Sequence, residues 1–283
     1  MLNALTFDVE EWYHGNLFNF DEGDMSRFEP RVVASTCRLL DVLSRAGTKA
    51  TFFFLGVVAR DHPELVRRVA AEGHEIGCHG WSHRLLYTLP EHEVKREVSR
   101  AKALLEDICG VAVRGFRAPS WSINSRTMPM LRMIEECGFE YDSSLFPEGT
   151  PVFGVPTVRV GPTFLTGRDT GGERGIVEFP PATLDFRCGL RVPFGGGVFL
   201  RLWPYAFVSQ CIRNINSRGL PTLVYLHPWE FDSGLPGGIP LLQRIVRDVN
   251  ICSTEVKLRR LISDFKMGKA IDVLKNLGLV KAN

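Results

Sequence analysis

Residues 49–83 read KATFFFLGVVARDHPELVRRVAAEGHEIGCHGWSH, and the order of patterns within them decides the fold. KATFFFLG is a short apolar run dense in aromatic residues, the composition of a buried strand. HPELVRRVAAEG starts with a proline in its first turn and stops on Gly73, which is how a short helix is punctuated. HEIGCHG is strand-like again. A strand, a crossover helix and a second strand in this order imply parallel pairing.

The alternation extends outward from this unit. NALTFDV is an earlier strand, and PRVVASTCRLLDVLSRAG carries apolar Val32, Val33, Leu39, Leu40 and Leu43 before Gly47. Downstream, PEHEVKREVSRAKALLEDICG is a long amphipathic helix closed by Gly110, and VRGFRAP with SRTMPMLRMIEECG repeats the strand and helix pair. Between about Tyr141 and Leu202 the rhythm breaks into Gly/Pro-rich pieces, FPEGTPVFGVP, TGRDTGGERG and PFGGG, which read as an insertion or long loops. WPYAFVSQCIRNINSRG and PTLVYLHPW restore helix and strand, and STEVKLRRLISDF and GKAIDVLKNLGLV read as two terminal helices. With no internal repeat and no linker, the expectation is one α/β domain.

Length agrees: the chain has 283 residues, and a single α/β barrel commonly needs about 250. A content of 45% hydrophobic and 23% charged residues is ordinary for a globular core. The net charge of +2 gives no electrostatic case for nucleic acid or an anionic membrane. Seven cysteines (Cys37, Cys78, Cys109, Cys137, Cys188, Cys211 and Cys252) are scattered singly without C-x-x-C, which reads as thiols in a reducing compartment. MLNALTFDVEEWYH enters a strand at once, without a basic leader, and no stretch approaches the roughly 20 apolar residues of a membrane span. A cytoplasmic enzyme is the expectation, with contact at the inner membrane face left open.

Four polar clusters fall at the carboxyl ends of these strands, where barrels and open α/β sheets build their sites. In TFDVEEWYH, strand alternation puts Asp8 and Glu10 on one side and Val9 on the other; a solvated strand end is the plainer alternative. In CHGWSH, His79 and His83 stand four apart, as two imidazoles one helical turn apart can face one zinc-like ion, although such pairs also arise by chance. In GFRAPSW, Arg117 offers a permanent fork of donors suited to orienting a carboxylate, unless it is a surface arginine. In LVYLHPWEF, His227 ends the last strand, as a proton donor or a structural histidine.

In this order the clusters resemble the polysaccharide deacetylase family, the NodB homology domain of carbohydrate esterase family 4, over roughly residues 2 to 230. The family pattern runs T-F-D-D, H-[ST]-x-x-H, R-x-P-[WY] and L-x-H, where this chain has T-F-D-V-E, H-G-W-S-H, R-A-P-S-W and L-V-Y-L-H. RAPSW and LHPWE look like the branch associated with bacterial exopolysaccharide loci. The resemblance implies a distorted (β/α) barrel of seven strands, with a Gly/Pro-rich insertion and C-terminal helices. It also implies one catalytic domain over residues 1–283, with a core at 2–230 and a helical extension at 231–283.

Residue by residue, the resemblance makes Asp8 the general base, His79 and His83 metal ligands, Arg117 the orienter of Asp8, and His227 the general acid. The family's third ligand follows the base directly, and that position here is Val9. Relatives with D-V-D or D-V-E shift the ligand by one, so Glu10 inherits the role, with Glu11 the competing candidate. Gly80 replaces the usual Ser or Thr, and Asp185 in EFPPATLDF has no confident match to the family's acidic partner of the catalytic histidine.

The implied activity is metal-dependent N-deacetylation of an N-acetylated sugar in a surface polysaccharide or its lipid-linked precursor, with zinc the first candidate cation. A backbone N–H near residues 142 to 145 would help hold the oxyanion. Trp12, Trp81, Trp121 and Trp229 are the aromatic faces placed to meet sugar rings, with Tyr13 and Trp203 nearby in the motifs. Two other readings stand beside this one: a cyclic imide or ureide amidohydrolase, and an inactive carbohydrate-binding or assembly protein.

Overall fold

The computed structural model describes residues 1–16, 20, 25–147, 154–156, 158–171, 175–186, 191–237 and 239–281. Cys188 and parts of the Gly/Pro-rich pieces lie outside the described residues.

The strands are β1 (Leu2–Val9), β2 (Thr51–Phe54), β3 (Glu75–Cys78), β4 (Gly115–Phe116), β5 (Tyr141–Asp142), β6 (Thr163–Thr166), β7 (Gly175–Glu178), β8 (Thr183–Asp185), β9 (Arg191–Pro193), β10 (Leu223–Leu226) and β11 (Lys266–Gly268). The helices are α1 (Val32–Arg45), α2 (Gly56–Asp61), α3 (Pro63–Ala71), α4 (Glu91–Cys109), α5 (Met130–Glu136), α6 (Gly167–Thr170), α7 (Gly197–Leu202), α8 (Tyr205–Ser217), α9 (Leu241–Asp248), α10 (Thr254–Asp264) and α11 (Ala270–Asn276).

The main sheet runs β10-β1-β2-β3-β4-β5-β7-β6, with β11 beside the start of β1. Setting aside antiparallel β6 and the short β11, its strands form the expected parallel series of seven. Between β7 and β10 no ladder is formed among the described residues. Single hydrogen bonds bind the edge of β10 opposite β1 there instead: Ala182 N–H to the Leu223 carbonyl (2.9 Å) and Tyr225 N–H to the Gly195 carbonyl (2.8 Å). This irregular seam is the distortion of the (β/α) barrel. Gly196 makes it possible, since a Cβ there would stand 1.9 Å from the Tyr225 carbonyl oxygen.

Alternation along β1 sorts its side chains as the sequence predicts. Leu5, Phe7 and Val9 pack with Phe52, Phe54 and the helices, while Ala4 joins Phe53, Tyr141 and Tyr225 in a second cluster. That second cluster also holds Ala270, Ile271, Val273 and Leu274 of α11, so the terminal helix plugs the barrel floor. Its first amides donate to Thr51 Oγ1 (2.8 Å) and Glu75 Oε2 (3.1 Å), at the starts of β2 and β3. The helical extension is therefore wired into the sheet, and it includes α9 and β11, which periodicity alone did not separate.

Candidate active site

Asp8 and Glu10 leave β1 on the interior side, and Glu10 is 3% exposed. Glu10 Oε2 lies 2.7 Å from His83 Nε2 and 3.8 Å from His79 Nε2. Donor atoms of these three residues lie within 4.8 Å of one another. Glu11 turns the other way, as alternation requires. Its Oε1 accepts the N–H groups of Arg31 and Val32, each at 2.8 Å, and so terminates the start of α1. That separates the two glutamates: Glu10 faces the histidines, and Glu11 holds a helix end.

The histidine pair converges differently from the sequence expectation. CHGWSH is a loop, not a helical turn: Gly80 has φ 78° and His83 has φ 61°, and these two left-handed residues fold the chain back so that both rings face Glu10. A Cβ at Gly80 would meet only the Pro119 ring at 3.5 Å, so its glycine answers to backbone conformation, not to space beside the ring pair. His79 Nδ1 lies 2.8 Å from the Arg117 carbonyl, which can only accept, so Nδ1 carries the proton and Nε2 keeps a lone pair for a cation. Burial pushes the His79 pKa down to about 4, leaving the neutral form a metal ligand needs. Burial alone would raise the Glu10 carboxyl, but His83, with His227 and His79, outweighs it and holds the group below the usual carboxylate range.

Arg117 is fully buried at the end of β4. Its Nη1 donates to Asp8 Oδ1 (2.6 Å) and Thr6 Oγ1 (3.0 Å), and Nη2 to Ser143 Oγ (3.0 Å). The guanidinium lies 4.3 Å from the Phe53 ring centroid, so its orientation is fixed by both its plane and its donors. The expected free N–H near residues 142 to 145 is not met at three of these positions. The amide of Ser143 donates to the Phe116 carbonyl (2.8 Å), that of Ser144 to Asp142 Oδ2 (3.0 Å) and that of Leu145 to Glu178 Oε1 (3.1 Å). They brace the strand ends instead.

His227 follows β10, with Nε2 3.8 Å from Glu10 Oε1. Its acidic partner is Glu230, which is fully buried and whose Oε1 lies 2.8 Å from His227 Nδ1 and 3.0 Å from its backbone N. Burial alone would lower the His227 pKa, but Glu230, then Glu10 and Asp8, lift it to about 9. Asp185 is elsewhere, paired with Arg191 at 3.0 Å. The missed signal was LHPWE itself: Pro228 opens a one-turn 3-10 helix over Pro228–Phe231, which brings the third residue's carboxylate back to the histidine. Arg201, 2% exposed and remote in sequence, places Nε 2.9 Å from Glu230 Oε2, and no motif announced it.

The polysaccharide deacetylase family matches residues 16–141, and a family described as a domain of unknown function (DUF3473) matches 143–275. Residues 16–141 are thus similar to the polysaccharide deacetylases. The chitooligosaccharide deacetylase of Sinorhizobium fredii is 39% identical over 101 residues, which are 35% of this chain and 44% of that protein. The match therefore spans less than half of that relative's length. Among solved structures, a "putative polysaccharide deacetylase from Mycobacterium smegmatis" aligns with TM-score 0.62 at 24% identity, over 97% of this chain and 89% of that one. An allantoinase (PuuE) aligns with TM-score 0.61 at 16% identity, over 96% and 88%. These two share the fold.

Within this fold the tryptophans divide. Trp12 is wholly buried among Tyr13 and Phe28, with the Arg247 guanidinium 4.7 Å from its ring, so it is a core residue and not the sugar contact expected. Trp81 packs where a Cβ on Gly56 would fall and carries Arg100 at 3.5 Å on its ring. It borders a cleft of about 980 Å³ that also includes Tyr13, His14, Asn16 and His83. Trp121, with φ 55°, lies 5.0 Å from the Tyr225 ring and 5.0 Å from the Arg117 guanidinium. Trp229 stacks on His227 at 5.2 Å with 22° between the planes. Trp203 bonds the Pro193 carbonyl (3.0 Å) and packs on Phe207.

Proposed function

We propose that the chain is a metal-dependent N-deacetylase that hydrolyses the acetamido group of an N-acetylated sugar in a surface polysaccharide or its lipid-linked precursor. The observation that carries this reading is the convergence of Glu10, His79 and His83 within 4.8 Å, with Asp8–Arg117 and His227–Glu230 alongside.

Two imidazole nitrogens and one carboxylate fit a divalent cation, zinc first. The buried Glu10 Oε2 faces two imidazole nitrogens, His83 Nε2 at 2.7 Å and His79 Nε2 at 3.8 Å, the convergence of one oxygen and two nitrogens that a cation would bridge. When bound, the cation would supply Lewis acidity toward the amide carbonyl and a water. Asp8 takes the water's proton at the oxygen Arg117 does not engage, while Arg117 holds the carboxylate in place. Hydroxide adds to the carbonyl carbon, the C–N bond breaks, and His227 gives a proton from Nε2 to the leaving nitrogen. Acetate and a free amino sugar leave. Trp121 and Trp229 adjoin the reacting groups, and the cleft past Trp81 offers room for neighbouring sugars.

The whole chain is read as one catalytic domain, because β10 and β11 both pair with β1. Among the described residues no helix is long and apolar enough to cross a membrane. A cytoplasmic site, in contact with the inner membrane face, suits a lipid-linked precursor and belongs to this proposal.

The test is acetate release from a panel of N-acetylated oligosaccharides, with and without chelator, beside metal analysis of the purified protein. Release that the chelator stops supports the reading. The allantoinase-like fold gives the amidohydrolase alternative its place, so allantoin belongs in the same panel. Turnover of allantoin alone would replace the glycan by a small cyclic substrate, and a metal-free inert protein would leave only carbohydrate binding or assembly.

A further inference from the structure

The family matching residues 143–275 carries no stated function, and its half of the chain contains His227, Glu230 and Arg201. We propose that Arg201 is a positioning residue for His227. It locks Glu230 and Trp229 against the imidazole from the end of α9, and so makes residues 143–275 the acid-bearing half of the active site. This rests on the deacetylase reading for its kinetic arm.

Arg201 sits in α7 and is nearly inaccessible. Its Nη1 donates to the carbonyls of Arg247 (2.6 Å) and Val249 (3.0 Å), and its Nη2 to that of Val246 (3.3 Å). These carbonyls form the last turn of α9, where backbone oxygens lack partners and favour a cation. With two nitrogens committed there, Nε is left facing Glu230 Oε2 at 2.9 Å. This contact is an ion pair, not an aligned hydrogen bond. The same guanidinium lies 5.6 Å from the Trp229 ring, and Trp229 in turn stacks on His227.

Arg201 thus touches both groups that hold the imidazole, one at its Nδ1 edge and one at its face. The two carboxylate oxygens of Glu230 are assigned separately, Oε1 to His227 and Oε2 to Arg201. A carboxylate so divided cannot rotate, and Nε2 of His227 stays directed at the metal-ligand cluster. Without Arg201 the buried Glu230 would keep His227 at Oε1 but lose the cation facing Oε2, and the carboxylate would be free to turn. If Arg201 served only as a staple for α9, the carbonyl bonds would suffice, and nothing would call for its contact with Glu230.

The experiment is a double-mutant cycle, Arg201→Met, Glu230→Gln and both together, in zinc-loaded full-length protein. Two readouts are taken: turnover of N-acetylglucosamine oligomers, and the proton resonance on His227 Nδ1 in ¹⁵N-histidine-labelled protein. Arg201→Met is expected to lower kcat by about tenfold to a hundredfold, the usual cost of losing an outer partner, with KM unchanged. The double variant should be no slower than Glu230→Gln, and the Nδ1 proton should move upfield in both single variants. Arg201→Lys, which keeps a cation near Glu230, should recover part of the turnover.

Additive losses in the cycle, or an unmoved Nδ1 resonance in Arg201→Met, would overturn the proposal. Where Arg201→Met does not fold, the double variant removes both buried charges at once and carries the comparison with Glu230→Gln. An unmutated protein that releases no acetate would defeat the deacetylase reading, while the resonance still decides the placement of Arg201.

Discussion

Strands β3 and β4 each follow a crossover helix and end in a short motif, and with β1 they deliver Asp8, Glu10, His79, His83 and Arg117. From Ser143 onward the chain breaks that habit. It forms a hairpin of β8 and β9, closes the barrel through isolated hydrogen bonds, and returns with β10 to deliver His227. In the first half functional side chains are fixed by one another across the strand ends, Arg117 after β4 reaching Asp8 of β1 and the histidines after β3 reaching Glu10. In the second half His227 is fixed by Trp229 and Glu230 of the single turn that follows it, and by Arg201 of α7. Under the proposed roles, cation and base chemistry rest on converging strand ends, and acid chemistry on a local turn braced by Arg201.

The contrast can be broken most sharply at Glu10. Glu10→Ala should lose bound metal and turnover together, measured by elemental analysis and acetate release. Bound metal in that variant would move the ligand assignment elsewhere. Asp8→Asn should keep the metal and lose turnover, since the amide cannot take a proton, and retained turnover would remove the base role. His227→Ala should retain metal and slow hydrolysis by about 10²–10⁴ fold, the usual span for a lost general acid.

A pH series separates the halves further. The His227 pKa is raised to about 9, with Glu230 supplying the largest lift against burial. The protonated donor is present below that pKa, so kcat should fall on the alkaline side of the profile. In Glu230→Gln the largest part of the lift is gone while Glu10 and Asp8 remain, and the alkaline fall should begin at lower pH. An unchanged alkaline limb would detach His227 from the proton transfer.

Period-two alternation and strand-helix rhythm made the parallel series legible, and with it the shared side of Asp8 and Glu10. The loop geometry of CHGWSH was not legible, because the carbonyls of Gly80, Trp81 and His83 accept hydrogen bonds from Gly56, Val57 and Asn16, which only the folded chain brings near. Glu230 was within reach, since a proline-started turn returns the carboxylate of its third residue to the residue just before the proline. Arg201 was not, because only the folded chain brings it to Glu230 from so far away in sequence. Trp12 misled because a tryptophan in a site motif and one in a core have the same sequence signature; only its burial beneath Phe28 and Arg247 tells them apart.

The smallest expected effect lies beside the largest. Glu11 adjoins Glu10 in sequence, yet its carboxylate serves the Arg31 and Val32 amides at the start of α1. Glu11→Ala should therefore leave metal content and kcat near their original values while lowering stability by about 0.5–2 kcal/mol, the range for a lost helix N-terminal acceptor. Thermal unfolding of the metal-loaded protein checks the second part and elemental analysis the first. A large loss of metal in this variant, with the fold intact, would mean that the two neighbouring glutamates share the cation, and that strand alternation does not by itself separate ligand from scaffold at this edge of the barrel.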